Sequence, residues 1–165
     1  MLAELAPIVA ATTLWLTRAF PASGGALAAA LCEAQARQAV TVAARLRYPT
    51  APDSGPGGSA ELDRLSGAGE DPDDPAWRCW VDEVVASWAA GLLTDPELAA
   101  RAVARLTRGA RTRGTPVGFR HLLAPDDHDR RAAVLLRHPD LIGPVAALHH
   151  ERLLERLGVG RGLTA

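Results

Sequence analysis

The sequence predicts an all-α protein, a compact bundle of about five to seven helices, and three observations support this prediction. Apolar residues make up 48% of the 165 residues, and much of this fraction is alanine and leucine, which favour closely packed helices. Proline, glycine and capping residues divide the chain at intervals typical of helices. No segment alternates between apolar and polar residues as a half-buried strand would.

Residues 1–48 are predicted to form an N-terminal helical hairpin. The breaker PASGG at positions 21–25 separates two segments in which apolar residues recur at helical spacing. In the second segment Glu33, Arg37 and Arg45 belong to a polar series that repeats every four residues, as on the solvent side of a helix. A hairpin of this length needs a further partner surface to cover its apolar side.

Residues 49–74 are predicted to form a flexible linker, which we call the acidic linker. The segment is rich in Pro, Gly, Ser and Asp and has no sustained periodicity. Between Ala51 and Ala76 seven acidic residues are opposed by Arg64 alone. Such a composition does not bury enough apolar surface to fold by itself.

The remaining residues, 75–165, are predicted to form a C-terminal helical bundle, and we leave open whether it packs with the hairpin as one domain. Asp74 and Pro75 are a typical N-cap and first-turn pair and predict one helix through AWRCWVDEVVASWAAGLL. The sequence TDPE at 94–97 matches a capping box and predicts a second helix, which stops at Gly109.

Three further elements are expected downstream of this pair of helices. PVGFRHLL at 116–123 is expected to be a loop or a short element. The sequence PDD at 125–127 predicts a helix that ends before Pro139. The pair GP at 143–144 is expected to begin the last helix, which Gly158 closes.

Composition limits the classes of function that the chain can have. The formal net charge of -1 provides no overall field that would steer the protein toward nucleic acid or an anionic membrane. All 18 cationic residues are arginine, so the choice of arginine over lysine carries no information. Cys32 and Cys79 lack C-x-x-C spacing and indicate a reduced, cytoplasmic setting. The first charged residue of the apolar N-terminus is the acid Glu4 instead of a basic residue, and the apolar run stops at Arg18, so the segment fits neither a signal sequence nor a membrane span.

An arginine-rich segment without acids, residues 98–125, is the first candidate site. Such a patch can hold phosphates with forked guanidinium donors, although the segment lacks a Walker lysine and a strand-borne G-x-G-x-x-G. A competing hypothesis is that the acidic linker neutralises this patch within the molecule. The anion-binding candidates are Arg101, Arg105, Arg108, Arg111, Arg113 and Arg120.

Two apolar helix faces are candidates for protein interaction. The tryptophan-bearing helix has an aromatic stripe, which is typical of a core helix and, as the functional alternative, of a docking face. The last helix, VAALHHERLLERLG, has a leucine stripe edged by Glu and Arg, which resembles a helix-pairing seam or an intramolecular contact. The interaction candidates are Trp77, Trp80, Trp88, Leu153 and Leu157.

The five histidines lie within one window of thirty residues, beside several acids. None of them has the H-x-x-H, H-x-x-x-H or E-x-x-H spacing that places ligands on one helix face, so we predict no metal and no other cofactor. No G-x-S-x-G motif or Cys and His pattern predicts a nucleophile. The histidines that a metal site would use are His121, His128, His149 and His150.

These observations favour a non-enzymatic helical protein-interaction module, such as an adaptor, an assembly factor or a regulatory subunit. Its expected partner is another protein or a second copy of the chain. The first alternative is a protein that binds nucleic acid or a phosphate ligand through residues 101–120. The second is a small helical-bundle enzyme or metal-binding protein that uses residues 121–151.

Overall fold

The computed structural model of the protein describes residues 5–49, 75–109 and 116–159. Eight α-helices and two short 3₁₀ helices occur in these ranges, and none of the residues described there forms a β-strand. The predicted all-α fold is therefore confirmed. All but the first residue of the acidic linker lies outside these ranges, so its flexibility stays a prediction.

The N-terminal hairpin consists of α1 (Ala6–Ala19) and α2 (Ala26–Arg47). The chain reverses direction between them with the help of Gly24, whose φ of 150° is rarely adopted by other residues. The Sγ atom of Cys32, near the beginning of α2, lies 3.9 Å from the carbonyl oxygen of Phe20, just after α1. At the other end of the hairpin, Leu5 and Val9 lie beside Thr41 and Arg45, so the two helices run antiparallel, as predicted.

The tryptophan-bearing segment forms two helices instead of one. A 3₁₀ helix covers Pro75–Trp80, and α3 covers Glu83–Thr94. Asp82 has an extended backbone, and its carboxylate accepts hydrogen bonds from the N–H groups of Val84 and Val85 at 2.8 and 3.1 Å. Asp82 thus caps a new helix. The predicted single helix through this segment is wrong for this reason.

The next helix, α4, covers Pro96–Gly109 and begins and ends close to the predicted positions. Its cap is Asp95 instead of Thr94, because Oδ1 of Asp95 accepts hydrogen bonds from the N–H groups of Glu97 and Leu98 at 2.9 and 3.0 Å. Apolar residues recur at helical spacing along α4, so that one side of the helix is apolar and buried. That buried side contains Leu98, Ala99, Ala102 and Val103.

The segment PVGFRHLL contains a 3₁₀ helix, Pro116–Phe119, followed by the one-turn helix α5 (Arg120–Leu123). The helix α6 (Asp127–Ala132) begins where the sequence predicts it. Asp126 and Asp129 form a capping box, in which each carboxylate accepts the backbone N–H of the other residue at 2.9 and 3.1 Å.

The C-terminal region contains α7 (Pro139–Ala147) and α8 (His150–Leu157). The prediction that the last helix begins at residues 143–144 is wrong, since Pro144 lies inside α7. Proline has no N–H group to donate to the carbonyl oxygen of Asp140, four residues earlier. Asp140 lies in the exposed first turn of α7, where water can solvate this carbonyl group. Gly158 ends α8 in the left-handed conformation with a φ of 76°, as predicted.

The helices α2 and α3 form the centre of the bundle. α2 packs against α1, α3, α4, α5 and α6, and α3 also packs against α4 and α7. One buried apolar cluster contains side chains from the hairpin and from the C-terminal helices, so both regions contribute to the same core. Among its fully buried side chains are Leu16, Val40, Leu92, Leu122, Leu136 and Ile142.

Candidate functional site

The outer side of α7 has an exposed apolar stripe. Leu141 is 47% exposed, Leu148 is 58% exposed, and Pro144 between them is exposed as well. Their spacing of three and four residues places them on one face of the helix. A neighbouring face packs toward α3 through the buried Ile142 and the partly buried Val145. We call Leu141, Pro144 and Leu148 the α7 stripe.

The sequence analysis did not identify the α7 stripe, although the sequence contains a signal for it. From Pro139 to Leu148 the only charged residue is Asp140, so α7 is apolar on all sides. A helix of this kind is expected to be covered on all sides. In this chain one side of α7 remains exposed.

Side chains of α3 hold the C-terminal end of α7 in place. The hydroxyl group of the buried Ser87 donates to the carbonyl oxygen of Ala146 at 3.2 Å and accepts from the N–H of His149 at 3.0 Å. The indole N–H of Trp88 donates to the carbonyl oxygen of His149 at 3.0 Å. His149 Nε2 lies 2.8 Å from a carboxylate oxygen of Glu83. These bonds fix the α7 stripe relative to the bundle.

The outer side of α4 has a different chemistry. Arg101, Arg105 and Arg108 are all exposed, and their spacing of four and three residues places them on one face. We call these three residues the α4 arginine face. Among the described residues, the acidic contact of Arg101 is a long one with Glu97, at 3.8 Å. Arg105 and Arg108 form no hydrogen bond or ion pair with a described residue.

The six predicted anion-binding arginines do not form one group in the described part of the chain. Three of them make up the α4 arginine face. Arg120 lies on α5 and forms an ion pair with Asp126, with a nitrogen to oxygen distance of 2.7 Å. Arg111 and Arg113 lie outside the described residues.

Four of the five apolar residues predicted for protein interaction contribute to the core. Trp80, Trp88 and Leu153 are buried, and Leu157 is partly buried against the core. The side chain of Trp77 is outside the described part of the structure. A partner cannot reach the three buried side chains in this conformation. Their burial agrees with the core explanation that the aromatic spacing also allowed.

A partly buried polar network connects α2 with the segment after α4. The side chain of Gln35 donates to the carbonyl oxygen of Asp129 at 2.8 Å and accepts from Nε of Arg137. The guanidinium of Arg137 also donates to the carbonyl oxygens of Leu93 at 3.0 Å and His121 at 2.8 Å. Arg137 therefore supplies donors to carbonyl groups at helix ends, where intrahelical partners are lacking.

Burial and hydrogen bonding shift the pKa of three groups in this region. Burial lowers the pKa of the Arg137 guanidinium, and the Asp129 carboxylate opposes part of the shift. Burial raises the pKa of the Cys32 thiol, which favours the unreactive protonated form. A hydrogen bond from the backbone N–H of Asp129 is the main cause that lowers the pKa of Asp126, and Arg120 adds to it.

The histidines considered as metal ligands are distributed over several elements. His121 lies beside Asp129, with Nδ1 2.8 Å from Oδ1, whereas His149 lies at the junction of α7 and α8. His128 and His150 are exposed. Within the described ranges, no group of three or more His, Cys, Asp or Glu side chains could hold a metal ion.

An enzyme requires a pocket next to its acid and base groups. The buried carboxylate of Asp129 orients the ring of His121, but Nε2 of that ring forms no hydrogen bond with a described residue that could act as a nucleophile. An open groove of about 250 Å³ lies between α1 and α2, and its lining does not include this histidine. The described residues that line the groove are Leu5, Ala6, Val9, Arg37, Thr41 and Arg45.

Comparisons of the chain with known protein families, with curated proteins and with solved structures give no match. None of the helices in the described ranges combines the length and the apolar character that crossing a bilayer requires. The two outer helix faces, on α4 and α7, are therefore the features from which a function can be argued.

Proposed function

We propose that the protein is a non-enzymatic helical interaction module that self-associates through the α7 stripe, as an assembly factor or regulatory subunit would. The observation that carries the proposal is the exposure of Leu141 and Leu148 on one helix face with no charged residue between them. Large apolar side chains that share an exposed face are typical of protein interaction sites. The buried polar groups, by contrast, hold helices together, which supports a role through contacts over a role in catalysis.

A second copy of the chain is the partner that fits this stripe. The residues Leu141, Pro144 and Leu148 have the spacing of seam residues in paired helices. When two α7 helices cross antiparallel around a two-fold axis near Pro144, Leu141 of each subunit meets Leu148 of the other. The stripe has no charge that would repel its own copy.

The expected association is weak. Covering the exposed parts of Leu141 and Leu148 contributes about 1 kcal/mol per side chain, and lost translational and rotational freedom opposes this gain. A stripe of three residues buries less than the roughly 1,200 Å² at the lower limit of stable complexes. We therefore expect a weak dimer with a dissociation constant of about 1 mM.

Sedimentation equilibrium at protein concentrations from about 10 µM to 1 mM tests this proposal. The wild-type chain should show a monomer–dimer equilibrium, and L141D should remain monomeric because its dimer would bury a carboxylate.

The matched control is L27D. Leu27 is 70% exposed in the first turn of α2, so the same substitution outside the stripe should leave the equilibrium unchanged. A wild-type chain that stays monomeric over the whole range contradicts the proposal, as does an equal loss of association in both variants.

A further inference from the structure

The α4 arginine face is separate from the α7 stripe and has no role in the proposed self-association. Arg105 and Arg108 are exposed and have no acidic partner among the described residues. The sequence explains this because residues 98–125 contain no Asp or Glu. The positive charge of Arg105 and Arg108 is therefore not compensated within residues 98–125, and of the three arginines only Arg101 contacts an acid, Glu97, on the same helix.

Three exposed arginines outside α4, Arg37, Arg120 and Arg130, do have acidic partners. Arg37 lies 2.6 Å from Glu33 and Arg130 lies 3.0 Å from Asp127, although their side chains are 56% and 62% exposed. Exposure thus does not prevent an arginine from pairing, and yet no described residue is an acidic partner of Arg105. The α4 arginine face is a local excess of cations on a chain with a formal net charge of -1.

The chemistry of this face favours phosphate groups as ligands. Guanidinium groups donate forked hydrogen bonds that match phosphate oxygens. α4 contains no aromatic residue, which stacking on single-stranded bases would require. Its exposed positions beside the arginines, Ala100 and Thr107, are small, so the face lacks the large apolar side chains found in the centre of protein interfaces.

Duplex nucleic acid fits these constraints best. The three arginines extend over about 10 Å along the helix axis. A duplex presents one negative charge per about 1.7 Å and can be bound through charge alone, so the face can reach two or three phosphates. We propose that the α4 arginine face binds the phosphate backbone of double-stranded nucleic acid without sequence specificity.

Fluorescence anisotropy with the full chain and a labelled mixed-sequence DNA duplex of about 20 base pairs tests this proposal, with salt varied from about 25 to 200 mM. Two or three phosphate contacts predict a slope of about -2 to -3 in the plot of log affinity against log salt. R105Q/R108Q should reduce the size of this slope by about 1.8 and weaken binding at least about tenfold at the lowest salt.

The matched control is R37Q/R130Q, which removes the same formal charge from two exposed arginines that already have acidic partners. This variant should keep the wild-type slope. Equal losses in both variants overturn the proposal, because net charge instead of the α4 arginine face would then drive binding. Absence of salt-dependent binding by the wild-type chain also overturns it. If poly-glutamate of equal charge binds as tightly as the duplex, the partner is an acidic polypeptide and the proposal is wrong.

Discussion

The helices α4 and α7 pack against the same central helix, α3, but their outer sides have opposite chemistry. α4 presents three exposed arginines, and α7 presents two leucines and a proline. Core packing explains the inner sides, since Leu98 of α4 and Ile142 of α7 are buried. It explains neither outer side. This difference indicates that core packing does not determine the outer sides of α4 and α7, and that each is suited to a different kind of partner.

The same distinction separates the arginines of the chain. Arg137 is partly buried and donates to backbone carbonyl groups of Leu93 and His121, so it holds the fold together. Arg105 makes no such contact with a described residue. The following substitutions test whether Arg137 stabilises the fold and Arg105 does not.

The largest expected effect on stability is that of R137M. The substitution keeps much of the apolar volume but leaves two carbonyl oxygens and the Gln35 side chain without their donor in a poorly solvated place. We expect a loss of about 3 kcal/mol in the free energy of unfolding, measured by urea denaturation. For a chain of this size the melting temperature should fall by about 6 to 12 °C.

The controls for R137M are the same substitution at Arg130 and at Arg105. Both side chains are exposed, so each change should alter the free energy of unfolding by no more than about 0.5 kcal/mol. If R105M destabilises the protein as much as R137M, Arg105 also stabilises the fold, and the proposed difference between the two arginines is wrong.

A smaller effect is expected from D126N. Arg120, unlike Arg105 and Arg108, has an acidic partner among the described residues, and this variant removes the charge of that partner. The lowered pKa of Asp126 means that its ionised form stabilises the folded state above the unfolded pKa of about 3.9. This contribution disappears as the pH falls through the lower folded-state pKa. Melting temperatures of wild type and D126N should therefore differ near neutral pH and converge as the pH falls from about 4 through the lower folded-state pKa of Asp126.

Asparagine can still cap α6, so D126N removes the charge while it preserves the cap. D127N is the matched control, because it removes an equal charge next to the capping box without breaking it. If the melting temperatures of wild type and D126N differ by a constant amount down to pH 2, the charge of Asp126 does not stabilise the fold through Arg120 or the capping box.

The sequence was sufficient to predict the elements that local chemistry determines. The breaker at residues 21–25, the capping box that begins with Asp126 and the glycine at 158 each act on neighbouring residues, so the hairpin, the start of α6 and the end of α8 were predicted correctly. The helix predicted to continue almost to Pro139 ends at Ala132. Errors arose where two local signals competed. Asp74 and Asp82 are both good caps, and Pro139 and Pro144 are both compatible with a helix start.

The candidate site was harder to predict, because exposure depends on which helix faces the tertiary structure covers. A stripe such as Leu141 to Leu148 has the same spacing whether it is buried or exposed, and Leu153 was considered for interaction although it is buried. The contact between His121 and Asp129 joins two helices, so no sequence spacing identifies it. The arginines of α4 were found because their lack of nearby acids is visible in the sequence.

The antiparallel pairing of two α7 stripes is tested most directly by sedimentation equilibrium of the wild type, L141D/L148D and L141D/L148R. In an antiparallel dimer position 141 of one subunit meets position 148 of the other. The first double variant therefore places like charges in contact, and the second places opposite charges in contact. We predict that L141D/L148D is monomeric, and that L141D/L148R regains a dimer at low salt which dissociates as salt is added. A dimer in L141D/L148D, or identical monomeric behaviour of both double variants, would contradict this pairing.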